Sequence, residues 1–194
     1  NEKFINPKVN IPIPDVMVTA EDKNVYLLDS VTSNQLQENA TVKIGNEVLD
    51  FAKPNYGLES WQNQYVDFSS MVVKDASNNV ITDIGLNNIL LDQKYQLAFT
   101  VSPKDSEADE TLPGTPAVAK TGEANGGINV YTPELSFKDS QVYYGDTVPT
   151  DFTGNLTATK WKHNGTEADT SKMGEAPELA LTYTPDATKI KDSK

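Results

Sequence analysis

Cysteine is absent from this sequence, and histidine occurs once, at position 163. Without cysteine, the chain forms neither disulfide bonds nor thiolate metal sites. A single histidine leaves little for a histidine-based zinc site or a catalytic triad, and neither a G-x-S-x-G nor an H-E-x-x-H motif is present. We therefore expect a protein that is not an enzyme. No apolar run approaches the roughly 20 residues of a membrane-spanning helix, so we expect no membrane insertion.

Basic residues are also scarce. The chain has 16 Lys and Arg against 28 Asp and Glu, which gives a net charge of −12. Nucleic-acid binding rests on Lys and Arg contacts to phosphate, so this balance argues against a nucleic-acid partner and against an anionic membrane surface. Self-repulsion and solubility are the ordinary consequence of such acidity, and the excess carboxylate leaves room for calcium.

The sequence contains an internal repeat. Residues 129–148 read NVYTPELSFKDSQVYYGDTV, and residues 10–31 carry an earlier copy, NIPIPDVMVTAEDKNVYLLDSV. The two copies are offset by about 118 residues, which is too long for a solenoid repeat and is the size of one domain. We therefore predict two modules, residues 1–128 and residues 129–194, the second shorter or truncated. On this interpretation the chain is a fragment of a longer protein, and the second module is less ordered or is completed by another chain.

Short alternating segments predict β-strands. In residues 93–101, one face carries Tyr95, Leu97, Phe99 and Val101 at a period of two. A strand over residues 128–137 closes the first module and opens the second. Turn signals recur every 8–12 residues and no long amphipathic helix is evident, which predicts an all-β fold of antiparallel Ig-like β-sandwich modules in tandem.

Two dipeptides predict tight hairpins. Gly45-Asn46 lies between alternating apolar runs, and Asn164-Gly165 occupies the corresponding place in the second copy. Both are typical of two-residue turns that need a positive φ.

Four polar residues have the alternate spacing of a calcium loop. They are Asp75, Ser77, Asn79 and Asp83. The glycine and the terminal glutamate of an EF-hand loop are missing, and the same residue types also form ordinary turns. Calcium and a plain turn are both open interpretations.

Aromatic residues are candidates for stacking on sugar rings. Trp161 lies beside a predicted hairpin tip, so we expect it to be exposed, and Tyr144 is a second candidate. Tyr26 and Tyr143 occupy matched positions in the two copies, which favours packing between sheets for both.

The whole stretch of residues 128–194 resembles the repeat modules of cell-wall-anchored surface proteins of Gram-positive bacteria, and the first module resembles them more weakly. The resemblance implies an extracellular, cell-wall-attached location and a structural spacer or adhesive role. Its implied partners are neighbouring modules of the same chain and a host or matrix protein or glycan. The alternatives are a carbohydrate-binding module, using exposed aromatics or calcium loops, and an accessory domain of an enzyme.

The same resemblance implies an intramolecular isopeptide bond. In many such families a lysine attacks an asparagine, assisted by a buried acid. That chemistry needs a neutral amine and a carboxyl group that stays protonated. The candidates are Lys8 or Lys23 as the amine, Asn125 or Asn129 as the amide, and Asp67 or Glu47 as the acid. Solvated lysines and turn asparagines are the alternative, and an intact mass, reduced by one ammonia for each bond, distinguishes the two.

Overall fold

The computed structural model describes residues 9–58, 66–82, 85–104, 112–139, 143, 145 and 153–179. Most of its regular structure is antiparallel β-sheet, as the sequence predicted. The strands are β1 (Val16–Thr19), β2 (Lys23–Tyr26), β3 (Thr41–Ile44), β4 (Glu47–Val48), β5 (Val66–Phe68), β6 (Val72–Asp75), β7 (Gln93–Pro103), β8 (Lys120–Phe137), β9 (Leu156–His163) and β10 (Thr166–Glu167). Two short helices, α1 (Ser33–Gln37) and α2 (Thr170–Met173), and two 3₁₀ turns, Pro54–Gly57 and Thr153–Asn155, complete the described elements.

The strands form two sheets. The smaller sheet has the order β1-β3-β4. The larger sheet has the order β10-β9-β8-β7-β5, with β6 also paired to β7 and β2 also paired to β8. Among these strands, the β2–β8 pair is parallel and the others are antiparallel.

Period-two alternation determines how β7 is buried. The side chains of Tyr95, Leu97, Phe99 and Val101 are at most 2% exposed, which confirms the strand predicted there. They belong to a main core cluster that also contains Val18 and Val42 of the smaller sheet. The two sheets therefore share one apolar core. Burial of such side chains is the dominant stabilising term in a fold of this size.

The long strand β8 crosses the boundary predicted between residues 128 and 129. Its first part pairs with β7, from Lys120 to Ile128, and its last part pairs with β9, from Thr132 to Phe137. The predicted strand over residues 128–137 is thus present and extends upstream to residue 120. Gly122 permits the close approach of β1, because a Cβ there would lie 2.6 Å from the carbonyl oxygen of Val16.

Both predicted hairpins are present. Gly45-Asn46 joins β3 to β4, and Asn164-Gly165 joins β9 to β10. The positive φ angles of Gly45 (59°), Asn164 (47°) and Gly165 (80°) suit such turns. The strand order β8-β9-β10 repeats the order β1-β3-β4, but the register differs. In the first copy, the eighth residue, Met17, lies opposite Lys43, which is two residues before the turn dipeptide. In the second copy, Lys162 is two residues before the turn dipeptide, and it lies opposite the fourth residue, Thr132, rather than the eighth.

Candidate functional site

The parallel pairing of β2 with β8 joins the two parts of the chain. Its register runs from Lys23 opposite Ile128 to Tyr26 opposite Tyr131, and the amide of Leu27 extends it by donating to the Tyr131 carbonyl at 3.0 Å. Alternation gives the ladder two different faces. Val25 and Val130 belong to the main core cluster, whereas Tyr26 and Tyr131 belong to a second cluster. The ladder therefore lies between two apolar clusters.

Side-chain hydrogen bonds reinforce this ladder. Asn129 Nδ2 donates to Asn24 Oδ1 at 3.0 Å, directly across the strand pair. Asp22 Oδ1 accepts from the Gly127 amide at 2.8 Å, just before the first paired residues. Asp29 Oδ2 accepts from the Tyr26 amide at 2.8 Å and closes the other end. Polar contacts thus hold both ends of the pair and its middle.

The second cluster, called here the junction cluster, consists of Tyr26, Tyr131 and Trp161, which are 3%, 7% and 6% exposed. The rings of Tyr26 and Trp161 meet edge to face, with centroids 5.1 Å apart and planes at 73°. The Tyr26 hydroxyl donates to the Gly174 carbonyl at 2.9 Å, which satisfies its polar end. Burial raises the pKa of Tyr26. One tyrosine of β2 thereby contacts both β9 and the end of α2.

Asp92 and His163 form an ion-pair geometry beside the junction cluster. Asp92 precedes β7, and its Oδ1 accepts from the Val130 amide at 2.7 Å. Its Oδ2 lies 2.8 Å from Nε2 of His163, the last residue of β9. The bond from the Val130 amide, followed by the bond from His163, holds the pKa of Asp92 below its usual range. The ring of His163 also contacts that of Tyr131, at a centroid distance of 5.5 Å.

The sequence does not reveal this pairing, because Asp92 and His163 are separated by 71 positions. Nothing local marks Asp92 as a partner, and the sequence alone left the single histidine without one. The only local signal is that Asp92 is a single acidic residue between the apolar run of residues 89–91 and the most regular strand, a place where a side chain can accept from an exposed backbone amide.

Two expectations about aromatic residues are wrong. Trp161 was expected to be exposed and is 6% exposed, because it alternates with Lys160 and Lys162 along β9 and points to the other face. Tyr143 was expected to be in the core and is 78% exposed. Its match to Tyr26 came from the repeat alignment, whose register the strands do not keep. Tyr144, the other candidate for a ligand contact, lies outside the described residues.

The structure separates the candidates for an isopeptide bond. Lys23 faces the same side of the β2–β8 ladder as Val25, whereas Asn125 and Asn129 lie on the opposite face of β8. The acids are elsewhere and exposed. Glu47 is in the edge strand β4, and Asp67 is opposite Ser102, at the end of β7 remote from the ladder. Lys8 lies outside the described residues. The bond stays a prediction without support from this geometry.

The calcium candidates form a hydrogen-bonded turn after β6. Asp75 Oδ1 accepts from the amides of Ser77 at 2.8 Å and Asn79 at 2.9 Å, and Oδ2 accepts from Asn79 Nδ2 at 3.2 Å. These bonds, led by the Asn79 amide, lower the pKa of Asp75. Asp83 lies outside the described part of the chain. Within that part, no group of three or more His, Cys, Asp or Glu is placed to hold a metal ion. Calcium at this turn stays a prediction, and the plain turn accounts for the contacts seen.

An open groove of about 770 Å³ lies beside the β2–β8 ladder. It is lined by Asp22, Ala76, Asp92, Gln93, Lys94, Asn125, Gly126, Gly127 and Asn129. Among the lining residues, Gly126 and Gly127 contribute backbone alone, and most of the others carry carboxylate, amide or ammonium groups. The two carboxylates already accept backbone amides, so the groove offers hydrogen-bonding groups rather than a free acidic pair.

Comparison with protein-family models, with curated proteins and with solved structures finds no match for this chain. In the part of the chain that the structure describes, no helix has the length and apolar character to cross a membrane.

Proposed function

We propose that this chain is a non-catalytic structural spacer of a Gram-positive cell-wall protein. In this proposal, two Ig-like β-sandwich modules follow one another outside the cell and are held at a fixed angle. The observation that carries the proposal is the continuous strand β8, which pairs with β7 before the predicted boundary and with β9 after it. A strand shared in this way leaves no flexible linker between the two parts.

Three further contacts oppose bending at the junction. The β2–β8 ladder holds β8 from its other edge, the junction cluster packs β2 against β9, and the His163–Asp92 contact joins the end of β9 to the start of β7. Aromatic pairs of this kind contribute about 0.5–1.5 kcal/mol beyond the area they bury. Two domains move relative to each other by default where the interface between them is small and polar. The contact between the two parts of this chain has the apolar junction cluster at its centre, which favours a fixed arrangement.

Stiffness can be measured with two spin labels. The cysteine-free sequence allows labels at introduced cysteines, and Thr41→Cys on β3 with Thr159→Cys on β9 places them at exposed positions on either side of the junction. Pulsed dipolar spectroscopy is expected to give one narrow distance distribution.

Replacing Trp161 by alanine is expected to broaden that distribution, because it removes the centre of the junction cluster. Leu91→Ala, which changes an apolar side chain that is 76% exposed beside the junction, is the control and should leave the distribution narrow. A broad distribution in the unaltered protein would refute the spacer proposal.

The proposed location has its own test. Antibodies raised against residues 9–179 are expected to label intact cells that produce the protein, and protease treatment of those cells should remove the signal. Labelling only after lysis would contradict a surface location. The proposal also includes an adhesive role, with a host or matrix protein or a glycan as the partner. Surface labelling does not report on binding, so this role is tested by binding experiments.

A carbohydrate-binding module is the second candidate, and the groove beside the β2–β8 ladder is the observation that favours it. Its amides and Lys94 match the hydroxyl groups of a neutral sugar. Burial of Tyr26, Tyr131 and Trp161 counts against an aromatic stacking platform. Amide chemical-shift changes at Gly126 and Gly127 on addition of a neutral oligosaccharide, reduced by Asn125→Ala, would support it. Unchanged chemical shifts, with and without calcium, would refute carbohydrate binding at this groove.

A further inference from the structure

We propose that the β2–β8 ladder is a load-bearing clamp that resists tension along the chain before the tension reaches the segment between the two strands, which carries most of the main core cluster. This inference rests on the spacer function proposed above and adds a mechanical task to it. Its starting observation is that β2–β8 is parallel, whereas the other pairs of named strands are antiparallel.

The direction of the two strands determines how the ladder is loaded. The chain enters β2 from its N-terminal side and leaves β8 from its C-terminal side. Because the strands are parallel, tension pulls them in opposite directions along a common axis. All four residue pairs of the ladder then share the load and must yield together. An antiparallel hairpin pulled from its two ends instead opens one pair at a time.

The position of the ladder in the sequence shields the core. Most of the main core cluster, including Val42, Val73 and Phe99, belongs to the segment between β2 and β8. While the ladder holds, this segment is a closed loop that carries no tension. Ile13 and Val18 precede β2 and are not protected, but separation of the ladder is the event that exposes the rest of this segment to load.

The side chains around the ladder also oppose sliding. Asn129 is bonded to Asn24 across the pair, and Asp22 holds the Gly127 amide. A slip by one residue would break both bonds and would exchange the two faces of the ladder. Val25 would then leave the main core cluster and Tyr26 would leave the junction cluster. Packing on both faces thus adds to the backbone bonds.

Single-molecule pulling tests the proposal in two geometries. Glu21→Cys with Lys138→Cys attaches handles just outside the ladder, so that β2 and β8 are both under tension. Ser30→Cys with Lys138→Cys keeps the same handle on β8 but leaves β2 outside the tensed segment. All three positions are exposed. Either geometry releases about 400 Å of chain on unfolding. We expect the unfolding force to be about twofold higher with the Glu21 handle. In that geometry the pairs of the ladder must yield together, which slows unfolding, and the unfolding rate governs the force that is needed.

Asn129→Ala is the matched side-chain test. With the Glu21 handle, it should raise the unfolding rate at constant force about fivefold, because a lost hydrogen bond of this kind is worth about 1 kcal/mol. With the Ser30 handle it should change little. Asn125→Ala, an exposed asparagine on the same strand opposite Gln96, should have no effect in either geometry.

Equal unfolding forces in the two geometries would overturn the clamp, as would an equal effect of Asn129→Ala in both. Either result, combined with a narrow spin-label distribution, would leave a rigid spacer that is not mechanically specialised. A broad distribution would instead refute the spacer itself. The thermal unfolding of each variant, followed by circular dichroism, verifies that the pulled molecules are folded.

Discussion

The main core cluster and the junction cluster are built differently. The main core cluster is assembled from aliphatic and aromatic side chains of both sheets, with Leu97, Phe99 and Val101 fully buried. The junction cluster contains three buried aromatic residues, and hydrogen bonds and an ion-pair geometry from distant segments surround it. The first is stabilised mainly by the area it buries, and the second also by directional contacts that fix an angle. On the spacer proposal, the main core cluster supplies most of the stability and the junction cluster supplies the orientation of the two parts.

The largest effect is expected where the main core cluster is disrupted. Phe99→Ala removes a ring that contacts the rings of Phe51, Tyr56 and Phe68. Such a change costs about 3–5 kcal/mol of unfolding free energy, which is a large share of the total for a domain. Urea unfolding followed by circular dichroism measures it. Phe137→Ala, at a phenylalanine that is 52% exposed, is the control and should change the unfolding free energy by no more than about 0.5 kcal/mol.

A smaller and more local effect is expected from the junction cluster. Trp161→Ala should cost about 3 kcal/mol, but only in the part of the chain that depends on the cluster. Hydrogen exchange should accelerate in β9 while the amides of β7 keep their protection. Equal loss of protection in β7 would show that the two clusters unfold as one cooperative unit, and the comparison between them would then fail.

The smallest effect concerns pH. The pKa of Asp92 is lowered in the folded protein, so its ionised form contributes stability above its unfolded pKa, and that contribution is lost as pH falls through the lowered folded value. The loss therefore begins below about pH 4. Asp92→Asn should reduce the fall of the unfolding free energy at acid pH. The change should be concentrated in the amide hydrogen-exchange rates of β9. Asp75→Asn alters a turn carboxylate whose pKa is also lowered, and it should reduce the same fall without affecting β9.

Local patterns in the sequence were sufficient to predict much of the fold. Alternation identified β7, and Gly45-Asn46 and Asn164-Gly165 identified the hairpins, because each signal is contained within a few residues. A local signal also marks the start of α1, at Thr32. Its N-terminus is a capping box, in which the Thr32 side chain accepts from the Gln35 amide and Gln35 bonds back to the Thr32 amide. Alternation alone is not sufficient upstream of Val16. Val9, Ile11 and Ile13 alternate with other residues there, but Pro12 and Pro14 lack the amide that a ladder requires, and β1 begins only at Val16.

The junction was harder to predict, because its contacts connect distant positions. The hydrogen bond from Tyr26 to Gly174 spans 148 positions, and that from Gly127 to Asp22 spans 105. No local pattern encodes a parallel partner for β2. The lysines on either side of Trp161 were a usable signal for its burial, since period-two alternation places it on the face opposite to theirs. The repeat did suggest equivalent segments. Because the strand register differs between the copies, the burial of Tyr26 does not predict the burial of Tyr143.

The continuity of β8 also has a consequence for the order in which the chain folds. The β7–β8 hairpin joins neighbouring strands, so its loop-closure cost is low and it can form early. During synthesis both strands leave the ribosome before β9 exists. The last part of β8 then presents its edge as a template on which β9 can add by backbone pairing alone. We therefore expect the N-terminal part to be native first, and the C-terminal part to acquire its structure by growth from that finished edge.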